Sequence, residues 1–327
     1  MARWDSVYSD FDSAIGFVIT VMQCVFGVAP QFSSPHALTI GNFDGVHLGH
    51  QAVIAQAKAA ADERGLPLTV LVFEPQPKEY FAKRRHQLPP PRLMSLRDKV
   101  HALSELGVDC VWCIRFQRVQ PMEASEFVDS LIERANVKHL IVGDDFRFGA
   151  DRKGDFVYLA ERASQGPFSL EQCATHELDG ARISSSRIRD RLSVSDFEGA
   201  QALLGRPFSM SGRVVYGQQL GRKLGFPTAN IRLSGHPPIS GVFACHVTLE
   251  DGAQYNAVAN VGTRPTVDGQ RASLEVYLHD FNGVLYGQRL TVIPLFFIRP
   301  EQKFEGVQAL SAQIAEDNAR ARDLLLT

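Results

Sequence analysis

Ala37-Leu-Thr-Ile-Gly-Asn-Phe-Asp-Gly-Val-His-Leu-Gly-His-Gln51 runs an apolar strand into a glycine-rich turn and then into a helix start carrying His47 and His50. Three residues apart in the first turn of a helix, the two imidazoles share a face with unpaired backbone N–H groups and the positive end of the helix dipole, where an anion is stabilised. Gly41, Gly45 and Gly49 permit a sharp turn and a close approach of backbone to ligand. An HxGH pattern alone arises by chance in helix caps; the strand-turn-helix setting makes it a nucleotide phosphate site. The chemistry that suits it is nucleotidyl transfer. Attack on an α-phosphate with loss of pyrophosphate needs alignment and charge stabilisation more than a covalent catalyst.

Outward from this stretch, Ala37 to about Gly205 alternates between strand and helix patterns. Apolar runs predict strands over Ala37 to Ile40, Leu68 to Phe73, Val108 to Phe116 and His139 to Val142; helical periodicity covers Gly49 to Arg64, Leu93 to Leu106 and Ala124 to Arg134. Gly65 and Gly107 stand where helices end, and Pro121 precedes the acidic first turn of another. Such alternation predicts an α/β, doubly wound, Rossmann-like parallel sheet, whose ligands gather at the C-terminal ends of the strands. Two further segments fall at such ends. In Gly143-Asp-Asp-Phe-Arg-Phe-Gly149, Asp144 and Asp145 are placed to meet a base or ribose, with Phe146 and Phe148 beneath a ring; the other reading is an ordinary turn with aromatic plugs. In Ile183-Ser-Ser-Ser-Arg-Ile-Arg189, Ser185, Ser186 and Arg187 would hold phosphate oxygens, unless a serine merely caps a helix with a solvated basic face.

Near Gly205-Arg-Pro207 the helical pattern stops. Short alternating or β-branched runs follow, over Ser209 to Tyr216, Gly241 to Glu250, Tyr255 to Val261, Ser273 to Phe281 and Gln288 to Phe297, separated by turns such as Glu250-Asp-Gly252 and Phe281-Asn-Gly283. They predict a small antiparallel β-barrel. A terminal amphipathic helix, about Phe304 to Leu325, turns Val307, Leu310, Ile314 and Ala321 toward it.

A chain of 327 residues accommodates two domains, and 34 basic against 36 acidic residues leave no global field to recruit nucleic acid. Five cysteines are too few, and odd in number, for a disulfide framework, so a reducing cytoplasm is the expected home. Cys110-Val-Trp-Cys113 has redox or zinc spacing but lies in an apolar run without a second ligand pair, and reads as a buried strand. The apolar stretch Ala14 to Pro30 is interrupted by Gly16, Gln23 and Gly27 and preceded by Asp5, Asp10 and Asp12, which argues against both a membrane span and an export signal.

Asn42 to His50 resembles the adenylyltransferase signature of the bacterial bifunctional riboflavin kinase/FMN adenylyltransferases, the FAD synthetases, and Pro227-Thr-Ala-Asn230 is similar to the kinase signature of that family. The resemblance runs from about Met22 to the C-terminus, leaving residues 1–21 as an N-terminal extension, 22–205 as the FMN adenylyltransferase domain and 206–327 as the riboflavin kinase domain. It implies that His47 and His50 act in adenylyl transfer, with Gly41, Asn42, Phe43, Asp44, Gly45, Asp144, Asp145, Ser185, Ser186 and Arg187 around the nucleotide. It further implies that Thr228 and Asn230 bind magnesium and ATP phosphates, and that Glu275 of Leu274-Glu-Val-Tyr-Leu-His279 is the catalytic base. Without the resemblance Glu275 would read as an outward strand carboxylate. Gly217 to Gly225, with Arg222 and Lys223, reads as a loop over the phosphates. Ser186 stands where the family commonly has threonine, and Tyr277 where it often has histidine. The substrates implied are riboflavin, FMN and ATP, with FAD as product and Mg2+ as cofactor, in a monomer or weak homo-oligomer without nucleic acid or membrane. Three alternatives stay open: one active domain only, a flavin-binding regulator without turnover, and an N-terminal domain that adenylylates a pantetheine or pyridine nucleotide.

Overall fold

The computed structural model describes residues 22–27, 32, 34–217, 221, 225–266 and 269–326. The extension read over residues 1–21 and the loop residues Arg222 and Lys223 lie outside the described residues.

Six parallel strands form the first sheet: β1 (Gln23–Phe26), β2 (His36–Ile40), β3 (Leu68–Glu74), β4 (Cys110–Arg115), β5 (Val137–Gly143) and β6 (Ser169–Cys173), in the order β1-β4-β3-β2-β5-β6. Buried on both faces, the central strands carry near-continuous apolar runs, Leu38, Val70, Leu71, Val72, Val111 and Ile141 among them. The helices are α1 (Leu48–Glu63), α2 (Pro77–Arg84), α3 (Leu96–Glu105), α4 (Phe116–Val119), α5 (Ala124–Asp129), α6 (Phe156–Gln165), α7 (Ser185–Ser193) and α8 (Phe197–Leu204). The chain winds one way from β2 to β3 to β4, then returns to lay β5 on the other side of β2. The crevice between β2 and β5 is therefore the topological switch point, where ligands of such sheets bind.

The expectations made for this sheet and its helices are met within about three residues; four points differ for physical reasons. Phe116 ends the expected strand by opening α4. The helix from Ala124 gives way after Asp129 to a π turn, Ser130–Arg134. Two strands of this sheet were missed, β1, four residues with an exposed Phe26, and β6, whose exposed and half-buried positions mask the apolar signal. Cys110 and Cys113 are buried in β4, where burial pushes each thiol up to about 12, as befits inert core thiols.

After the short hairpin β7 (Glu177–Leu178) and β8 (Ala181–Arg182) and helices α7 and α8, the chain enters a closed antiparallel barrel. Its strands are β9 (Met210–Val215), β10 (Ala229–Ile231), β11 (Gly241–Thr248), β12 (Gln254–Thr266), β13 (Gly269–Leu278) and β14 (Arg289–Arg299), ordered β10-β13-β12-β11-β14-β9. Phe243, Ala257, Ala259, Val261, Leu274, Val276 and Leu290 fill it, joined by Leu203 and Leu204 of α8 and by Leu93 from the first domain. The terminal helix α9 (Val307–Leu325) packs through Ala321 on Val242, Ala244, Val258 and Ile298. Val307, expected to face the barrel, is 49% exposed, because the helix docks through its later turns. There Asp317 takes the Arg299 guanidinium at 2.7 and 2.8 Å, and Asn318 meets His279 at 3.0 Å.

Candidate active sites

The turn between β2 and α1 is made of backbone that few side chains tolerate. Phe43 (φ 46°) and Val46 (φ 39°) flank Gly45 (φ 86°) in the left-handed region, a strain of about 1–3 kcal/mol per non-glycine residue that the surroundings must hold. They do so by the carbonyls. Lys99 Nζ donates to Asn42 O at 2.6 Å, Ser185 Oγ to Asp44 O at 2.9 Å, Arg206 to Gly45 O at 2.7 Å, and Gln51 to Val46 O at 2.9 Å. With its carbonyls engaged, the turn keeps amide N–H groups for a ligand: among the described residues none of those of Asn42, Phe43 and Gly45 meets an acceptor. That is an anion-binding concavity.

Asp44 is only 2% exposed, and its carboxylate is held by Arg189 and by the Leu93 N–H at 3.2 Å, so in this structure it secures the turn. His47 caps α1, its Nδ1 accepting from the His50 N–H at 3.3 Å, which leaves the proton on Nε2. The two rings stack with centroids 3.6 Å apart, and Phe43 covers His50 at 5.1 Å. Burial lowers the His47 pKa to about 4, with Asp44 opposing. Burial, together with the neighbouring His47 and the cations Lys99 and Arg182, holds His50 well below its usual value. Both imidazoles are thus neutral N–H donors before substrate arrives.

Across the crevice, Asp144 and Asp145 follow β5, both exposed; Asp145 pairs with Arg182 at 2.8 Å and Asp144 accepts from Thr175. Phe148 is a core plug against Phe127 and Tyr158, and the half-buried Phe146 stacks on it at 5.5 Å. Beside them, Asp144, Phe146, Asp155, Val157 and Gln172 line an open cavity of about 230 Å³. On α7 the cap is Ser184, which accepts from the Arg187 N–H, while Ser185 holds the turn and Ser186 is exposed. Arg187 donates to the carbonyls of Leu178 and Ala181, bracing the β7–β8 hairpin. Lys99, Arg182, Arg189 and Arg206 were not singled out from the sequence. Lys99 is 1% exposed and its pKa is lowered by burial against the pull of Glu74 and Asp44. A lysine on the apolar side of an amphipathic helix was its one visible signal.

In the barrel, Asn230 of β10 and Glu275 of β13 are directly paired. Their neighbours Ala229, Ile231, Leu274 and Val276 point into the core, so both point outward. Thr228 precedes β10 by one residue. Gly217 and Gly221 lie against these side chains: a Cβ on Gly217 would meet the Asn230 amide at 2.5 Å, and one on Gly221 would stand 3.1 Å from Thr228 Oγ1. Tyr277, on the same face as Glu275, meets Phe226 edge-on at 5.6 Å and walls one side.

Both halves have counterparts among known proteins. The family model for FAD synthetase matches residues 29–187 and that for riboflavin kinase matches residues 204–325. The bifunctional riboflavin kinase/FMN adenylyltransferase of Pseudomonas fluorescens is 48% identical over 88% of this chain and 92% of its own length. The chain belongs to the bifunctional riboflavin kinase/FMN adenylyltransferase family. Members of that name from Haemophilus influenzae and Escherichia coli are each 45% identical over 88% of this chain, covering 93% and 91% of their own lengths. A crystal structure described as a macrolide-efflux protein from Streptococcus pneumoniae superposes with a TM-score of 0.73 at 29% identity, over 92% of this chain and 99% of that one. Its likeness carries the architecture of both domains. Among the described residues, no helix is long and apolar enough to cross a membrane.

Proposed function

We propose that the two activities of this bifunctional enzyme divide between residues 22–205, the FMN adenylyltransferase, and residues 206–327, the riboflavin kinase, with ATP consumed at each site. The observation that carries this reading is the pairing of two phosphate-handling constellations, the HxGH turn at the switch point and the Asn230–Glu275 pair on the barrel, on one chain in the order of the two family matches.

In the kinase, Glu275 takes the proton of the terminal ribityl hydroxyl as that oxygen attacks the γ-phosphorus, giving FMN and ADP. The Thr228 hydroxyl and Asn230 amide oxygen are hard oxygen donors in a cradle that a Cβ on Gly217 or Gly221 would fill, and this donor set fits Mg2+. Bound there, the ion would neutralise charge on the ATP phosphates. In the adenylyltransferase, an FMN phosphate oxygen attacks the α-phosphorus of ATP and pyrophosphate leaves. The turn's N–H groups and the Nε2–H of His47 donate to oxygens that gain charge. Asp144 and Asp145 are assigned to the adenosine, and Ser186 to a phosphate at the start of α7. The free thiols of Cys24, Cys110, Cys113, Cys173 and Cys245 suit a reducing cytoplasm.

The test is chromatography of products from riboflavin, ATP and Mg2+, and separately from FMN. Glu275→Ala should lose FMN formation by about 10²–10⁴-fold and still convert added FMN to FAD. His47→Asn with His50→Asn should lose FAD formation by on the order of 10²–10³-fold and still make FMN. Loss of both products in either variant with an unchanged melting profile would refute the division.

A further inference from the structure

Glu275 is the centre of a row of three. Across β13 it is paired with Asn230 on one side and with Asn260 of β12 on the other. Ala259 and Val261 lie in the barrel core, so Asn260 points outward like its two companions. The outer positions around it differ sharply. Val258, two residues earlier, lies beneath α9 against Ala321, whereas at Gly262, two residues later, a Cβ would collide with the Glu301 carboxylate. Asn260 therefore stands where the helical cover stops and the site begins.

Its amide oxygen is buried and has no hydrogen-bond partner among the described residues. Buried polar atoms without partners are uncommon, and one beside a reacting carboxylate calls for an explanation. A carbonyl-type oxygen requires a donor. On the reading of Glu275 as the base, the acceptor substrate would bring a chain of hydroxyl donors to this place, with its terminal oxygen at Glu275. The backbones of residues facing each other across antiparallel strands stand about 4.5–5.5 Å apart, close enough for one polyol chain to reach both side chains.

We propose that Asn260 Oδ1 accepts a hydrogen bond from a secondary hydroxyl of the ribityl chain, making Asn260 a specificity-determining residue of the kinase that selects a polyol-bearing acceptor. This rests on the reading of Glu275 as the base. The oxygen is built into the barrel strand and left unpaired until substrate supplies the donor, so an acceptor lacking that hydroxyl leaves it unpaired in the transition state. Sites made to hydrogen-bond a substrate hydroxyl reject the deoxy analogue for this reason.

The experiment compares riboflavin with analogues each lacking one secondary ribityl hydroxyl, using the full-length wild-type chain, Asn260→Ala and Asn260→Leu. In the wild type, kcat/KM for one analogue should fall on the order of 10–100-fold below riboflavin. In both variants riboflavin should fall to the level of that analogue and the two should no longer be distinguished, with KM for ATP unchanged. Asn260→Leu should melt no lower than wild type, because it removes an unpaired buried oxygen. Equal use of every analogue by the wild type would overturn the proposal without any variant. So would undiminished discrimination in Asn260→Ala, or a loss that instead follows the Mg2+ or ATP concentration. A cooperative melt of the barrel transition reports that each variant is folded, and conversion of FMN to FAD that its first domain is intact. Glu275→Ala separates the two levels: if it still phosphorylates riboflavin, the assignment of the base fails, and if it does not while Asn260→Ala discriminates as wild type, only the role of Asn260 fails.

Discussion

The turn after β2 and the row Asn230–Glu275–Asn260 handle the same kind of ligand with opposite materials. The turn is backbone in a strained conformation, locked by Lys99, Ser185, Arg206 and Gln51, with a buried carboxylate, Asp44, clamped by Arg189. The row is side chains on the outside of regular strands, where the barrel core beneath fixes only which way they face. One site is therefore fragile to changes at residues that never touch substrate. The other should tolerate its surroundings and fail only when its own side chains change.

Asp44→Asn tests that contrast most severely. It leaves the Arg189 guanidinium, about 15% exposed, without its charge partner and weakens the bond to the Leu93 N–H. Breaking a buried pair from one side costs about 3–5 kcal/mol. The expected outcome is a first thermal transition lowered by many degrees and FAD formation abolished, with FMN formation retained below that transition. Calorimetry with both product assays checks it; equal loss of the two activities at a temperature where the chain is still folded would erase the contrast. Lys99→Met is next. The apolar replacement keeps the stem, so stability changes by no more than about 1.5 kcal/mol, but the turn loses the cation bonded to Asn42 O. FAD formation should fall about 10–100-fold and FMN formation stay unchanged, read from the kcat/KM values of the two reactions.

How much of this was legible in the sequence follows from the same contrast. The HxGH stretch announced strand, turn and helix because three signals coincide there, an apolar run, glycines and a cap, and the parallel sheet followed from alternation of periods. What fastens the turn was not legible: Arg189, Arg206 and Lys99 reach it from 145, 161 and 57 residues away in the chain, and no local pattern encodes such a contact. In the barrel the reverse holds. Five strands were readable from alternation, yet β10, which carries Asn230, was missed as a strand, since three residues after a proline are too few to show a period. Glu275 looked like any outward strand carboxylate, and only register across two neighbouring strands makes it the centre of a site.

Acid stability should distinguish the domains as well. His36 is 1% exposed at the start of β2 and packs on Phe32 at 4.2 Å. Burial lowers its pKa to about 4. Between pH 6.5 and 4 the unfolded chain takes up a proton that the folded chain refuses, so stability falls as the pH falls through this window and is complete above it. The difference amounts to about 3 kcal/mol for one such group. His36→Phe should flatten the acid limb of the first transition by roughly that amount and leave FMN formation untouched. Urea titrations at pH 7 and pH 4.5 measure it, and an unchanged pH slope would show that His36 is not the group responsible.

The smallest expected effect lies where the two regions meet. Ser211 of β9 donates to Asp98 Oδ1 of α3 at 2.6 Å and accepts from Arg289 at 2.7 Å, while the other Asp98 oxygen takes the Ser95 hydroxyl. A few residues away, the Arg92 N–H donates to His236 O at 2.8 Å, and Leu93, whose own N–H binds Asp44, enters the barrel core. The strained turn is thus joined to the barrel side by several routes, among them Leu93, Arg206, which donates to Gly45 O, and Asp98. Ser211→Ala cuts only the route through Asp98. Asp98 keeps the Ser95 contacts and remains beside Arg289, so the cost should be about 1 kcal/mol or less. What should change is cooperativity: the melts followed by the loss of each activity, already separable in Asp44→Asn, should draw slightly apart in Ser211→Ala while both rates at 25 °C stay within about twofold of wild type. If the two losses remain superimposed, the contacts of Leu93 and Arg206 suffice to hold the domains together, and the tolerance of the barrel for damage to its neighbour has a lower limit set by them.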